Sequence, residues 1–134
     1  LDDAGSVLLR YASGARGVIT FSQVSPGCAN GIRIRVFGDE GALDWQQEAP
    51  NHLTWARLDE PVRTLWRGAA GLHPTAAARS VTPPGHTEGY LEAFSNLYAG
   101  FAEILRARAE ARDPGPIGQS VPGIADGVSG VATD

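Results

Sequence analysis

The chain has 134 residues, 43% hydrophobic and 19% charged, which suits one globular domain with a single core. Its formal charge of −4 excludes the clustered cations that a nucleic-acid backbone demands, and no run of about 18 apolar residues offers a membrane span. The partners expected are therefore small molecules or other subunits.

Residues 5 to 67 alternate apolar and polar side chains with period two between glycine-rich or proline-rich breaks, the pattern of strands. Val7, Leu9 and Tyr11 share one face; Ser13-Gly14 turns the chain into a second strand over 17–24, giving a hairpin. Ile32, Ile34 and Val36 alternate with Arg33, Arg35 and Phe37, and the turn Gly38-Asp39-Glu40-Gly41 leads into 42–46, giving another. Residues 53–58 and 62–67, joined by Asp59-Glu60-Pro61, form a third. The expectation is an α+β fold with an open, mainly antiparallel sheet of about six strands, one long helix packed on one face and a short C-terminal helix. Residues 68–86 read as a long connection rich in Gly, Ala and Pro, with a short helical piece over 75–80.

The long helix follows. Tyr90, Leu91, Phe94, Leu97, Tyr98, Phe101, Ile104 and Leu105 recur at spacings of three and four, a stripe expected to pack on the sheet. Thr87 is placed to cap its start, Glu88 and Glu92 fall in the first turns, and Arg106, Arg108 and Arg112 in the last. Asp113-Pro114-Gly115-Pro116 stops it. A last segment, 123–131, places Ile124, Val128 and Val131 at helical spacing.

Several chemistries find no support. No GxGxxG follows a strand, and no GxxxxGK[ST] is present, so a nucleotide cradle is not expected in this chain. Cys28, the single cysteine, sits in a turn setting with no local nucleophile signature; it points to a reducing, cytoplasmic home. His52, His73 and His86 are too widely spaced for a zinc motif, so no metal is expected. Arg33 and Arg35 share a strand face, read as a solvated or interface face with an anion site as the alternative. All eleven cations are arginine: with no lysine, Schiff-base chemistry is excluded within the chain, and with no methionine the chain reads as part of a longer polypeptide.

One cluster rises above this background, Pro83-Pro84-Gly85-His86-Thr87-Glu88-Gly89-Tyr90. The prolines and glycine fix an irregular loop that presents His86 at the mouth of the long helix, where an imidazole and backbone N–H groups meet. His86, Glu88 and Tyr90 are the candidate substrate contacts; the alternative is that His86 and Thr87 only cap the helix. Trp45, Trp55 and Trp66 lie on neighbouring strands and are expected to share a face, open either to a second subunit or to the helix.

Three blocks of this sequence carry a family resemblance: residues 5–17, residues 32–45 with the Phe37-Gly38 turn and Gly41-Ala42-Leu43, and Gly85-His86-Thr87-Glu88-Gly89-Tyr90 with Ala93-Phe94. Together they resemble the C-terminal domain of Gfo/Idh/MocA oxidoreductases, a dihydrodipicolinate-reductase-like fold, over nearly the whole chain. The last block is similar to a subset acting on sugars or their relatives, and 125–131 resembles the start of the family's final helix. The resemblance implies that 1–134 is one substrate-binding and oligomerisation domain whose parent enzyme carries an N-terminal Rossmann domain for NAD or NADP, absent here. It implies hydride transfer with a sugar, polyol or related hydroxy compound, and a homo-oligomer formed through the sheet face. The proton-handling lysine of the family's Glu-Lys-Pro motif, and the Asp and His that precede the sheet, have no counterpart here, so no catalytic residue is carried over. The fragment alone is expected to bind no cofactor and to be inert. The competing reading is a non-enzymatic ligand-binding or dimerisation module using the same open sheet.

Overall fold

A computed structural model of the chain describes residues 3–132. The chain divides into two compact units, residues 1–31 and 32–134.

The first unit is a hairpin. Strands β1 (Ala4–Arg10) and β2 (Arg16–Ser22) pair antiparallel, with Val7 opposite Ile19 and Gly5 opposite Phe21. Its turn is closed by Tyr11 N–H to Ala15 O at 2.9 Å and Gly14 N–H to Tyr11 O at 2.9 Å. Gly14 takes φ +90°, a conformation that only glycine adopts without strain. Cys28 is exposed as a free thiol in the irregular stretch that follows.

The second unit holds a four-stranded antiparallel sheet, β3 (Arg33–Phe37), β4 (Gly41–Gln46), β5 (His52–Arg57) and β6 (Arg63–Trp66), paired in sequence order. The six antiparallel strands of the sequence reading are present, divided as sheets of two and four strands. The proline, glycine and asparagine between Ser25 and Gly31 leave no ladder across that interval. Gly41 lets β4 approach β5: a Cβ there would lie 2.3 Å from the backbone oxygen of Ala56.

The register sorts the tryptophans. Trp45 opposes Leu53 and Leu43 opposes Trp55, so these four share one face of the sheet. Trp66 opposes His52, one residue out of phase with Leu53 and Leu65, and therefore lies on the other face. The expectation of three tryptophans on one face is corrected to two.

Four helices follow: α1 (Pro74–Ala78), α2 (Tyr90–Ala109), α3 (Pro116–Gln119) and α4 (Ile124–Val131). His73 caps α1 by accepting from Thr75 N–H at 3.3 Å. Thr87 does not cap α2; Gly89 does, its N–H donating to the Glu92 carboxylate three residues on at 2.9 Å. Glu88 consequently lies outside the helix. At the other end Ala111 takes φ +51°, Arg112 N–H reaches Ala107 O at 3.0 Å and Ala111 N–H reaches Arg108 O at 3.2 Å, a Schellman closure built without glycine.

Among the described residues α2 packs on α3, and the two approach through glycines. A Cβ at Gly100 would sit 3.0 Å from the backbone oxygen of Ile117, and one at Gly118 would sit 3.3 Å from the side chains of Glu103 and Ile104. Arg79 clamps the same corner, donating to Asn96 O at 3.2 Å and Ile117 O at 2.9 Å and to the Ser120 hydroxyl. The stripe that periodicity assigns to the core is half exposed, Phe94 and Leu97 at 44% and Phe101 at 54%. Ala107 is the one buried hydrophobic residue among those described. No helix among the described residues is long and apolar enough to cross a membrane.

Candidate functional site

A cleft of about 290 Å³ opens at one end of the four-stranded sheet, at the lower limit of small-molecule sites and suited to a ligand of one ring. Three segments build it. The β4–β5 turn brings Glu48, Pro50 and Asn51; the facing ends of β5 and β6 bring His52, Trp66 and Arg67; the loop before α2 brings Gly85, His86 and Thr87.

Each wall has a local cause. The turn is held by the Trp45 indole N–H, which donates to Pro50 O at 3.1 Å. His52 and Trp66, opposite each other in the register, make an edge-to-face pair with centroids 3.9 Å apart and planes at 68°. The loop wall is harder to build, because Pro83 and Pro84 donate no N–H and Gly85 takes φ +86°.

Arg67 supplies what that loop lacks. Its Nε donates to Asn51 Oδ1 at 2.8 Å, its Nη1 to Thr82 O and Glu88 Oε1 at 2.9 Å each, and its Nη2 to the Thr82 hydroxyl at 3.0 Å and to His86 O. Glu88 Oε1 also accepts the N–H of Val81 at 2.6 Å and that of Thr82. Asn51 closes the base, its Nδ2 donating to Glu88 O at 2.9 Å while its Oδ1 accepts Glu88 N–H at 3.0 Å. Burial would push the Glu88 carboxyl up, but hydrogen bonds from Thr82 and Val81 and the Arg67 charge outweigh it and hold the group below the usual carboxylate range.

Of the three candidate contacts, the cleft takes in one. His86 lines it and is exposed. The Glu88 side chain, only 7% exposed, lies behind the loop in the ion pair with Arg67. Tyr90 is 67% exposed at the first residue of α2, its ring 4.7 Å from that of Phe94, and does not line the cleft. Sequence reasoning misses Asn51, His52, Trp66 and Arg67, which come from strand ends and a turn and meet the loop only through the fold. The one signal available is the proline pair, whose missing N–H groups require donors from elsewhere. Arg33 is not an anion site here, since its guanidinium is bound by Asp44 on the next strand at 2.9 and 2.5 Å.

A family model described as the GFO/IDH/MocA C-terminal domain matches residues 1–44. An oxidoreductase from Sinorhizobium meliloti has a structure similar to this one, 42% identical and with a TM-score of 0.85, covering 97% of this chain and 36% of its own. An inositol dehydrogenase homologue from Azotobacter vinelandii, solved in complex with NADH and myo-inositol, is 37% identical with a TM-score of 0.86, covering 97% of this chain and 34% of its own. This chain belongs to the Gfo/Idh/MocA oxidoreductases, as part of their C-terminal domain. The Bacillus subtilis oxidoreductase YfiI is 36% identical over 108 residues, which are 81% of this chain and 28% of YfiI. The Gfo/Idh/MocA chain described here thus spans about a third or less of the length of these relatives.

Proposed function

We propose that this chain is the substrate-side portion of an oxidoreductase that moves hydride between NAD or NADP and a sugar, polyol or related hydroxy compound, with His86 contacting the substrate. The observation that carries this is the cleft itself. It sets the imidazoles of His52 and His86 beside the exposed Trp66 ring, so polar tips that donate and accept surround an apolar plane. That arrangement suits a small ring bearing hydroxyls. Two solved structures support it: an inositol dehydrogenase homologue from Azotobacter vinelandii in complex with NADH and myo-inositol, and one from the same organism in complex with NAD+.

On this reading the nucleotide is held outside this chain. No glycine-rich strand-to-helix turn is present, and the first free donor of α2 is taken by Glu92. The Rossmann half of the parent enzyme holds the cofactor and supplies the proton-handling lysine, and residues 1–134 alone are inactive and bind neither nucleotide. Glu88 bears on the substrate through the loop it ties, and Tyr90 is open to a ligand outside the cleft. The sheet face with Leu43, Trp45, Leu53 and Trp55 is the surface for a homo-oligomer, and the single free thiol suits a cytoplasmic enzyme.

The test is turnover by the full-length gene product, with NAD and NADP, on neutral sugars and cyclic polyols. Oxidation of one of these, with His86→Ala lowering kcat/KM by about tenfold or more, is the expected result. A protein that binds polyols with no nucleotide reduction would instead be the ligand-binding module of the competing reading.

A further inference from the structure

Loop 82–88 has no regular structure to hold it. Two successive prolines remove two of its N–H donors, Gly85 lies in the left-handed region, and its one internal backbone bond is His86 N–H to Pro83 O at 3.2 Å. Its carbonyls point at Arg67 instead. The guanidinium takes Thr82 O, the Thr82 hydroxyl and His86 O, with a longer contact to Pro83 O at 3.4 Å. Glu88 and Asn51 take its remaining N–H groups. With its side chain 15% exposed, Arg67 has no free face to offer an anion, although it borders the cleft.

We infer that Arg67 is a positioning residue: it fixes the His86 imidazole in the cleft by gripping the loop's main chain, with Glu88 as its counter-ion. Three features separate this from a substrate-binding arginine. Every donor is already committed within the protein. The bond to His86 goes to the backbone carbonyl, one rotatable bond from the Cα that carries the imidazole. The donors radiate in one plane to five separate acceptor groups, which a lysine ammonium with three donors on a flexible stem cannot copy. Thr82 couples the two partners, since its hydroxyl accepts from Arg67 and donates to His86 O at 3.2 Å.

The inference rests on the reading of His86 as a substrate contact, so two measurements on the full-length gene product keep them apart. In amide hydrogen exchange, Arg67→Lys is expected to speed exchange over 80–89 about tenfold or more while β4 and β5 are unchanged, with Thr82→Val, the gentler variant, showing the same pattern more weakly. Unchanged exchange in the loop, or an equal rise in the sheet, overturns the inference. In kinetics, Arg67→Lys is expected to lower kcat/KM about tenfold in the native background and less than about twofold in a His86→Ala background, because both changes remove one function. Losses that multiply would assign Arg67 a role independent of His86 and overturn the inference. If His86→Ala turns over substrate normally, the substrate-contact reading fails, and the exchange data alone decide whether Arg67 holds the loop.

Discussion

Arg67 and Glu88 are 15% and 7% exposed, whereas Phe94, Leu97, Phe101 and Leu105 along α2 are 44 to 54% exposed. Within residues 32–134, then, an ion pair is better shielded from water than the apolar stripe of the longest helix. The difference lies in what each kind of group needs. A buried charge is tolerable only when its donors or acceptors find partners, and here the turn and the loop take every Arg67 donor while Arg67 and the loop N–H groups of Val81 and Thr82 meet Glu88 Oε1. An apolar stripe needs area alone, and α3, four residues long, covers little of it. Order at the cleft is therefore achieved by polar satisfaction, with little help from a closed hydrophobic core.

The largest test of this contrast is Glu88→Ala, which strands the Arg67 charge and should cost about 3 kcal/mol in denaturant unfolding, with Glu88→Gln milder. The pH dependence follows from the lowered carboxyl. Stability from Glu88 is complete above its unfolded pKa of about 4.5 and is lost as pH falls from there through the lowered folded value, so Glu88→Gln should flatten the acid limb of stability against pH. Glu103 and Asp44, lowered in the same direction, leave a residual slope.

Next in size is Gly41→Ala. The added Cβ meets backbone, which cannot swing aside, and should destabilise by about 2 kcal/mol, read as a fall in the denaturation midpoint. Phe101→Ala should cost only about 1 kcal/mol in the 134-residue chain, against the 3–5 kcal/mol of a closed core. A core-sized loss in that chain would break the contrast, and a larger loss in the full-length product would sharpen it by showing that other parts of the parent cover the stripe. Smallest is Ala111→Gly, which relieves the left-handed residue after α2 and should stabilise by about 0.5 kcal/mol in thermal melts.

These regions were unequally legible in the sequence. The strands and α2 follow from periods of two and 3.6, which local sterics enforce, and the stop at Asp113-Pro114 is backbone chemistry. The start of α2 was misplaced by two residues because Thr87 and Glu92 both satisfy a capping pattern, and only the geometry selects Gly89 with Glu92. Trp66 changed face because the β5–β6 register depends on the turn at Asp59, whose φ of +60° is unusual for a residue other than glycine. His86, which lines the cleft, stands out in the sequence because its loop has local punctuation. Arg67 was not, since an arginine closing a strand looks like any solvated strand end until the loop some fifteen residues later folds over it.

The order β3-β4-β5-β6 leaves one edge of β3 and one edge of β6 outside the hydrogen-bonded ladder among the described residues. Such rims invite another extended chain to add on and grow a fibre. Here one rim carries Arg33 and Arg35, and the other is four residues long with Pro61 just before it. The Arg35 charge on the first would meet its like on a second copy, and the second is too short to template a ladder. Both rims of the sheet thus carry features that disfavour the edge-to-edge addition of another extended chain.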